Sequence, residues 1–456
     1  MRGKPLRLGR EGRQYGPFVM LSMNSTLSTR DLISLGFMTF ALFLGAGNII
    51  FPPLVGQLAG NTSWSAALGF LLTGVGLPLL TVVALARIGG GLNAVTQPIG
   101  KVAGTIFGTL IYLTIGPLFA TPRTATVSYS IGFVPFLGES ELALAVYSFI
   151  FFLIVMLIAL YPGRLLDTVG KLITPILIVG LAALAFAAIF WPVGDVGLPS
   201  GPYVKHAFAE GFTQGYQTMD ALAALVFGIV IIKAISDKGI TQTRLLTRYT
   251  IIAGFIASIG LAVVYVSLIW LGASSGILAP DASTGAPILS AFVNHIFGSM
   301  GNVLLALIIV LACLTTAIGL ISACGLYFSQ LLNISYTKAV VALSLISMLI
   351  ANQGLTQLIA IAVPALLTLY PIAISLVFLC LAMSCWRSAP RVFIPTLAVA
   401  ALFGLMDGLR AAGLGDFLPS WLQELPGAQL GLGWILPVLV VLGLSATADR
   451  LLTSSN

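Results

Sequence analysis

Long uninterrupted apolar runs recur from one end of this 456-residue chain to the other, and only 8% of its residues carry charge. That pattern leaves few folds open. A soluble domain needs a charged surface to cover a core of this size, whereas an apolar run of about 18 residues or more is long enough to cross a bilayer as a helix. With 58% hydrophobic residues and a mean hydropathy of +1.07, the chain is expected to be an all-α polytopic membrane protein. A β-barrel would instead show short segments of alternating polarity.

Twelve spans can be laid down, over residues 31–57, 64–86, 102–133, 141–161, 168–191, 207–236, 245–272, 300–331, 338–351, 355–384, 391–411 and 430–447. The stretch from Pro287 to Gly298 is too short to span and is expected as an external hairpin over the entrance. Of the 21 basic residues, all but Lys205, Arg410 and Arg123 then fall on one side, so the positive-inside rule places both termini in the cytoplasm. Residues 1–30, which hold no apolar core or cleavage pattern, read as a disordered basic cytoplasmic tail, and 448–456 as a second tail. The four cysteines, Cys313, Cys324, Cys380 and Cys385, lie in or beside apolar runs without metal or redox spacing, and read as buried reduced thiols.

Spans 1–5 (31–192) and 6–10 (207–384) form two blocks of five, an odd number, so they face opposite ways across the membrane. Each block has a long third span. This is the symmetry of a 5+5 inverted repeat with discontinuous first and sixth helices, to which spans 11 and 12 (391–447) are additions.

The first span is interrupted at LFLGAGNIIFPP, Leu42 to Pro53, where glycines and prolines make a continuous helix costly. Unwound backbone at membrane depth is tolerated where it lines a cavity or is buried in protein. Free amides at Ala46 and Gly47, beside Gly45, suit a carboxylate at the positive end of the second half-helix. Carbonyls of Ala41, Phe43 and Leu44 face the other way, towards a cation or ammonium. Close helix packing through small residues is the alternative reading.

Span 6 offers Tyr216, Gln217, Thr218 and Asp220 within GYQTMDALAALVFG. Asp220 reads as an anchor for an ammonium group or an orienter of its polar neighbours, unless the span begins later and leaves it at the outer mouth. Phe227 and Gly228 are expected to end the unwound part. In span 8, Thr315 and Thr316 with the carbonyl of Ala312 offer hard oxygens which, with carbonyls of Ala41 and Leu44, suit sodium; a back-bonded packing pair is the alternative. Arg123 is expected near the outer surface, either as a gate with Asp220 or Glu210 or snorkelling to the interface. His206 and His295 receive no role.

No phosphate-binding loop, metal cluster or nucleophile elbow is present in the sequence. ATP-driven transport, nucleic-acid binding, enzymatic activity and a resident cofactor are therefore not expected.

DLISLGFMTFALFLGAGNIIFPP, GYQTMDALA and PRTATVSYS together resemble the bacterial branched-chain amino acid carriers of the BrnQ type, the branched-chain amino acid:cation symporters, over essentially the whole chain after Asp31. The resemblance implies a leucine transporter-like fold. It also implies alternating access and symport of leucine, isoleucine or valine with sodium. By it, the amides of Ala46 and Gly47 hold the substrate carboxylate. Phe43 and the carbonyls between Ala221 and Ala224 receive the amine. Ala41, Leu44, Ala312, Thr315 and Thr316 form a shared sodium site, and Asn48 matches a ligand of a second sodium whose partner asparagine is missing from span 7. Phe43, Tyr112, Leu225 and Phe227 are expected to line the side-chain pocket. Proton coupling is the nearest variant, and a passive channel or membrane-embedded sensor is the alternative of another class.

Overall fold

Every backbone amide placed in hydrocarbon must find its partner within the chain, and the computed structural model meets that demand with helices alone among the residues it describes, 26–161, 174–422 and 424–454. Residues 1–25 of the expected tail and 162–173, with Arg164, Lys171 and the start of span 5, lie outside the described residues, as do the last two residues of the second tail. By length and composition, eight helical stretches among the described residues are able to cross a membrane, and a bent pair makes nine. Two shorter apolar helices, and a break at Gly60 (φ +50°) in the 43-residue stretch Ala46–Ile88, which is too long for one crossing, are compatible with the twelve spans expected.

The first span is two helices, α1 (Thr29–Phe43) and α2 (Ala46–Ala59), separated only by Leu44 and Gly45 in extended conformation. The prolines do not close the break. Pro52 and Pro53 lie inside α2, which runs on to Ala59, as transmembrane helices allow when neighbours satisfy the freed carbonyls. The second span is α3 (Ser63–Leu71) and α4 (Leu77–Ile88), joined by a five-residue π turn.

The third span holds a break not expected from the sequence. Between α5 (Lys101–Leu113) and α6 (Ala120–Gly132), the chain bends at Gly116 (φ −88°, ψ −116°), next to Pro117. A Cβ on Gly116 would lie 2.6 Å from Cys324 Sγ, so only glycine fits that approach. Helices α7 (Glu141–Ala159) and α8 (Thr174–Phe190) complete the first five spans.

The sixth span is also broken. Helix α9 (Tyr203–Gln214) passes through a 3₁₀ turn at Gly215–Thr218, then Met219 in the left-handed region (φ +62°), into α10 (Asp220–Ser236) at a bend of 43°. A non-glycine residue at positive φ is strained and is held there only by its surroundings. Next come α11 (Thr243–Ser275) and α12 (Gly285–Leu332).

Residues 287–298, expected as an external hairpin, are helical and are set off from the rest of α12 by the non-helical Gly298 (φ +65°, ψ −164°). Ile288, Leu289 and Phe292 are fully buried, and Gly285 sits against the Ile50 carbonyl of α2. Apolar residues spaced along one face drive that burial. Helices α13 (Tyr336–Ala351), α14 (Leu355–Leu381), α15 (Ala389–Leu409) and α16 (Ile435–Ser454) close the chain.

Two backbone contacts fix α2 on α11. A Cβ at Gly56 would meet the Ile269 carbonyl at 1.9 Å, and one at Gly272 the Pro53 carbonyl at 1.8 Å. Lacking a hydrophobic drive between helices in lipid, association depends on such close approach through small residues. The start of α1 and the end of α10 are tied by the ion pair of Asp31 and Lys238. Of the cysteines, Cys313, Cys324 and Cys380 are buried free thiols, while Cys385 is exposed, outside the apolar interior expected for it.

Candidate functional site

The ends of the two broken helices meet. Helix α1 stops at Phe43, leaving its last carbonyls without intrahelical partners, and α2 starts at Ala46 with its first amides equally free. Gly45, at the N-cap, donates its amide to Asn48 Oδ1 at 3.2 Å. Gly47 lies against the unwound part of span 6, where an added Cβ would stand 3.1 Å from the Gln217 carbonyl and 3.3 Å from Thr218 Cα.

Three buried side chains join the breaks. Asn48 Nδ2 donates to Asp220 Oδ2 at 2.7 Å and also to the Tyr265 hydroxyl, and that hydroxyl donates to Asp220 Oδ2 at 2.6 Å. Asp220 is thus deep in the protein, 2% exposed, and not at an outer mouth. Its backbone amide faces Thr218 Oγ1 at 3.4 Å. Tyr265, the second phenol of helix α11 after Tyr249, was not singled out by the sequence; its signal is a polar group inside the apolar stretch from Ile251 to Leu271.

Arg123 departs from expectation. It is 2% exposed and reaches the break in span 6, where Nη1 donates to the Gln217 carbonyl at 2.6 Å, with its guanidinium 5.1 Å from the Phe51 ring centre. It neither snorkels nor contacts Asp220 or Glu210 through an ion pair among the described residues. The bend at Gly116 accounts for this, since distance along a straight helix from Lys101 no longer measures depth.

Thr316 Oγ1 donates to the Leu44 carbonyl at 3.2 Å, linking α12 to the first break. Thr315 is spent within its own helix, donating to the Ala312 carbonyl at 2.9 Å. Ala41, Leu44 and Ala312 are buried beside them.

A small cavity of about 40 Å³ lies between these elements. Phe43, Gly45, Ala46, Gly47, Asn48, Thr218, Asp220, Phe227, Thr316 and Arg123 all line it, from four separated parts of the chain. Ile115, Ala120, Thr124, Met219, Ala223 and Leu320 line it too, without having been marked by sequence. By the measure on which one water needs about 10–15 Å³, the cavity in this conformation suits a few waters or an ion. A branched side chain needs the flanking helices to move.

Other expected residues fall elsewhere. Tyr112 stacks on Tyr327 with ring centres 3.9 Å apart, outside the cavity. Ala221, Ala224 and Leu225 are in regular turns of α10, facing buried core, because the unwound part ends at Met219 and not at Phe227 and Gly228. Carbonyls there are engaged in the helix, so those outside it lie earlier, at Gln217 and Thr218. Gln217 gives its carbonyl to Arg123, while its side chain belongs to a second, polar chamber with Glu210, Asp407 and Arg410.

Chemically, the cavity joins a buried carboxylate, a buried guanidinium, free amides at a helix start and free carbonyls at a helix end. Comparison with known proteins bears on the chain as a whole. The model of a family described as branched-chain amino acid transport protein matches residues 28–452. The branched-chain amino acid transport system 2 carrier protein of Pseudomonas aeruginosa is 57% identical over 422 residues, 92% of this chain and 97% of that protein. The branched-chain amino acid permease BrnQ of Escherichia coli is 51% identical, over 94% of this chain and 98% of its own. Among solved structures, the nucleobase-cation-symport-1 family transporter Mhp1 superposes with a TM-score of 0.59 at 15% identity, covering 93% of each chain. A manganese transporter of Eremococcus coleocola gives 0.57 at 14% identity, over 93% of this chain and 97% of its own. These last two likenesses speak to fold alone.

Proposed function

The chain belongs to the branched-chain amino acid transport protein family, and on that premise we propose that it imports leucine, isoleucine and valine with sodium across the bacterial cytoplasmic membrane by alternating access. Its relatives are named as carriers and permeases, which makes it a transport protein and not an enzyme, with the fold of secondary transporters.

The observation that carries the reading is the meeting of two broken helices around one buried cavity, with Thr316 reaching the Leu44 carbonyl. In this reading the substrate carboxylate lies at the amides of Ala46 and Gly47, where the helix start favours an anion. Its ammonium faces Asp220 and the free carbonyls of span 6. The aliphatic side chain lies against Phe43, Ile115, Phe227 and Leu320. Sodium lies where α12 meets the first break, with oxygens of Ala41, Leu44, Ala312, Thr315 and Thr316. Each inward charge gains about 2.3 kcal/mol per 100 mV of membrane potential. The two broken helices head the five-span halves 31–192 and 207–384, and one bundle of helices rocks against the other about the site.

A second reading concerns the coupling ion. Asp220 is a buried carboxylate held by the neutral groups of Asn48, Tyr265 and Thr218, which favours a proton as the alternative cation. A pH gradient alone then drives uptake.

The substrate set is tested by competition. Uptake of labelled leucine should be inhibited by isoleucine and valine at concentrations within about 100-fold of leucine's, since one methylene in an apolar pocket is worth about 1–3 kcal/mol. Inhibition by lysine or glutamate as strong as by valine would contradict it.

A further inference from the structure

We infer that Arg123 holds the substrate's carboxylate through the guanidinium edge that carries Nε and Nη2, in a cavity whose opposite pole is Asp220. The inference deepens the transport reading and rests on it. Nη1 is committed to the Gln217 carbonyl and one face looks onto the Phe51 ring. Nε and Nη2 remain, both buried and without any hydrogen-bond partner. These two N–H groups lie parallel on one edge of the guanidinium, and that edge matches the two oxygens of a carboxylate.

A buried guanidinium with two idle donors is costly unless something it binds completes it. Arg123 lines the same cavity as the α2 amides and stands beside Gly47, whose added Cβ would be 3.5 Å from Nη1. Side chain and helix start therefore converge on one place for an anion. Asp220 supplies the other sign. No ion pair joins it to Arg123 among the described residues, and both side chains line the one cavity.

A cavity with one buried cation and one buried anion, held apart, complements a zwitterion. Each charge of an α-amino acid meets its opposite, and the loaded site is neutral apart from any coupling ion. With the loaded site neutral, its charge balance calls for no second sodium. Asn48, the residue that resembles a ligand of that second sodium, is already engaged with Gly45, Asp220 and Tyr265.

The test compares leucine with leucinol, which keeps the side chain and ammonium but carries a hydroxymethyl group for the carboxylate. Equilibrium binding of each is measured on the full chain in lipid nanodiscs, for the wild type, Arg123→Lys and Arg123→Gln. Glutamine retains a donor for the Gln217 carbonyl, and lysine retains charge without the fork. Losing one partner of a buried charge pair leads us to expect leucine Kd to rise about 100-fold in Arg123→Gln, with an intermediate rise in Arg123→Lys, while leucinol Kd stays within about 3-fold. Equal weakening of both ligands, which a purely bracing role through Gln217 produces, overturns the inference and leaves the transport reading standing. So does an unchanged preference for leucine. Wild-type protein that binds none of leucine, isoleucine and valine overturns the transport reading and this inference with it.

Discussion

Asn48 on α2 and Asp220 on α10 are joined by a 2.7 Å hydrogen bond spanning 172 residues of sequence, so the second half-helices of both broken spans are held together at their first turns. Tyr265 on α11 completes the junction by donating to the same carboxylate oxygen at 2.6 Å.

Asp220→Asn should therefore lower leucine transport by about 100-fold, because two buried donors lose a charged acceptor worth about 1.5–3 kcal/mol to each. Tyr265→Phe removes one donor and should raise the KM for leucine by about 10-fold. Both are read from initial uptake rates in membrane vesicles with matched protein amounts. Normal transport by Asp220→Asn would remove this junction from the mechanism.

Thr316→Ala should raise the sodium concentration for half-maximal uptake by about 10-fold, a loss of about 1.4 kcal/mol, with the maximal rate largely restored by saturating sodium. Thr315→Ala should do less, since its hydroxyl already serves the Ala312 carbonyl of its own helix. A sodium titration of both variants distinguishes them. Equal loss at every sodium concentration would count against a cation at this place.

Gly47→Leu should abolish uptake while the protein still inserts. Its side chain begins 3.1 Å from the Gln217 carbonyl, a tight approach against the second break, and its further carbons take up space beside the α2 amides. Insertion is checked by detergent gel filtration and uptake by labelled leucine; uptake at the wild-type rate would place the site elsewhere.

Gly272→Val should fail earlier, at folding. Even a Cβ there would lie 1.8 Å from the Pro53 carbonyl, and a branched side chain separates α11 from α2 where small residues alone hold them. Loss of monodisperse protein is expected, and a well-folded variant with normal melting would contradict this packing.

The helical membrane architecture was legible because apolar runs of such length have few other uses. So was the first break, though its extent was not. Glycine cost points to Gly45 and Gly47, but the structure unwinds only Leu44 and Gly45 and leaves Asn48, Pro52 and Pro53 helical. Propensity measured in water overstates the effect of proline where neighbouring helices satisfy the freed carbonyls. The same tolerance hid the bend at Gly116 and Pro117 in the third span, and with it the burial of Arg123. In span 6 the polar residues were marked, but which turn is unwound depends on Met219 adopting positive φ, a tertiary effect with no local signature. Ala223 rather than Ala221 or Ala224 faces the cavity for the same reason. Tyr265 becomes visible only when α11 is packed against both breaks.

The central claim, that the paired breaks bind a branched-chain amino acid and sodium together, is tested most directly by leucine uptake into proteoliposomes under an imposed inward sodium gradient at symmetric pH. The account predicts transient accumulation of leucine above its external concentration, abolished when the sodium gradient is collapsed. Equal leucine uptake with and without the gradient would contradict it.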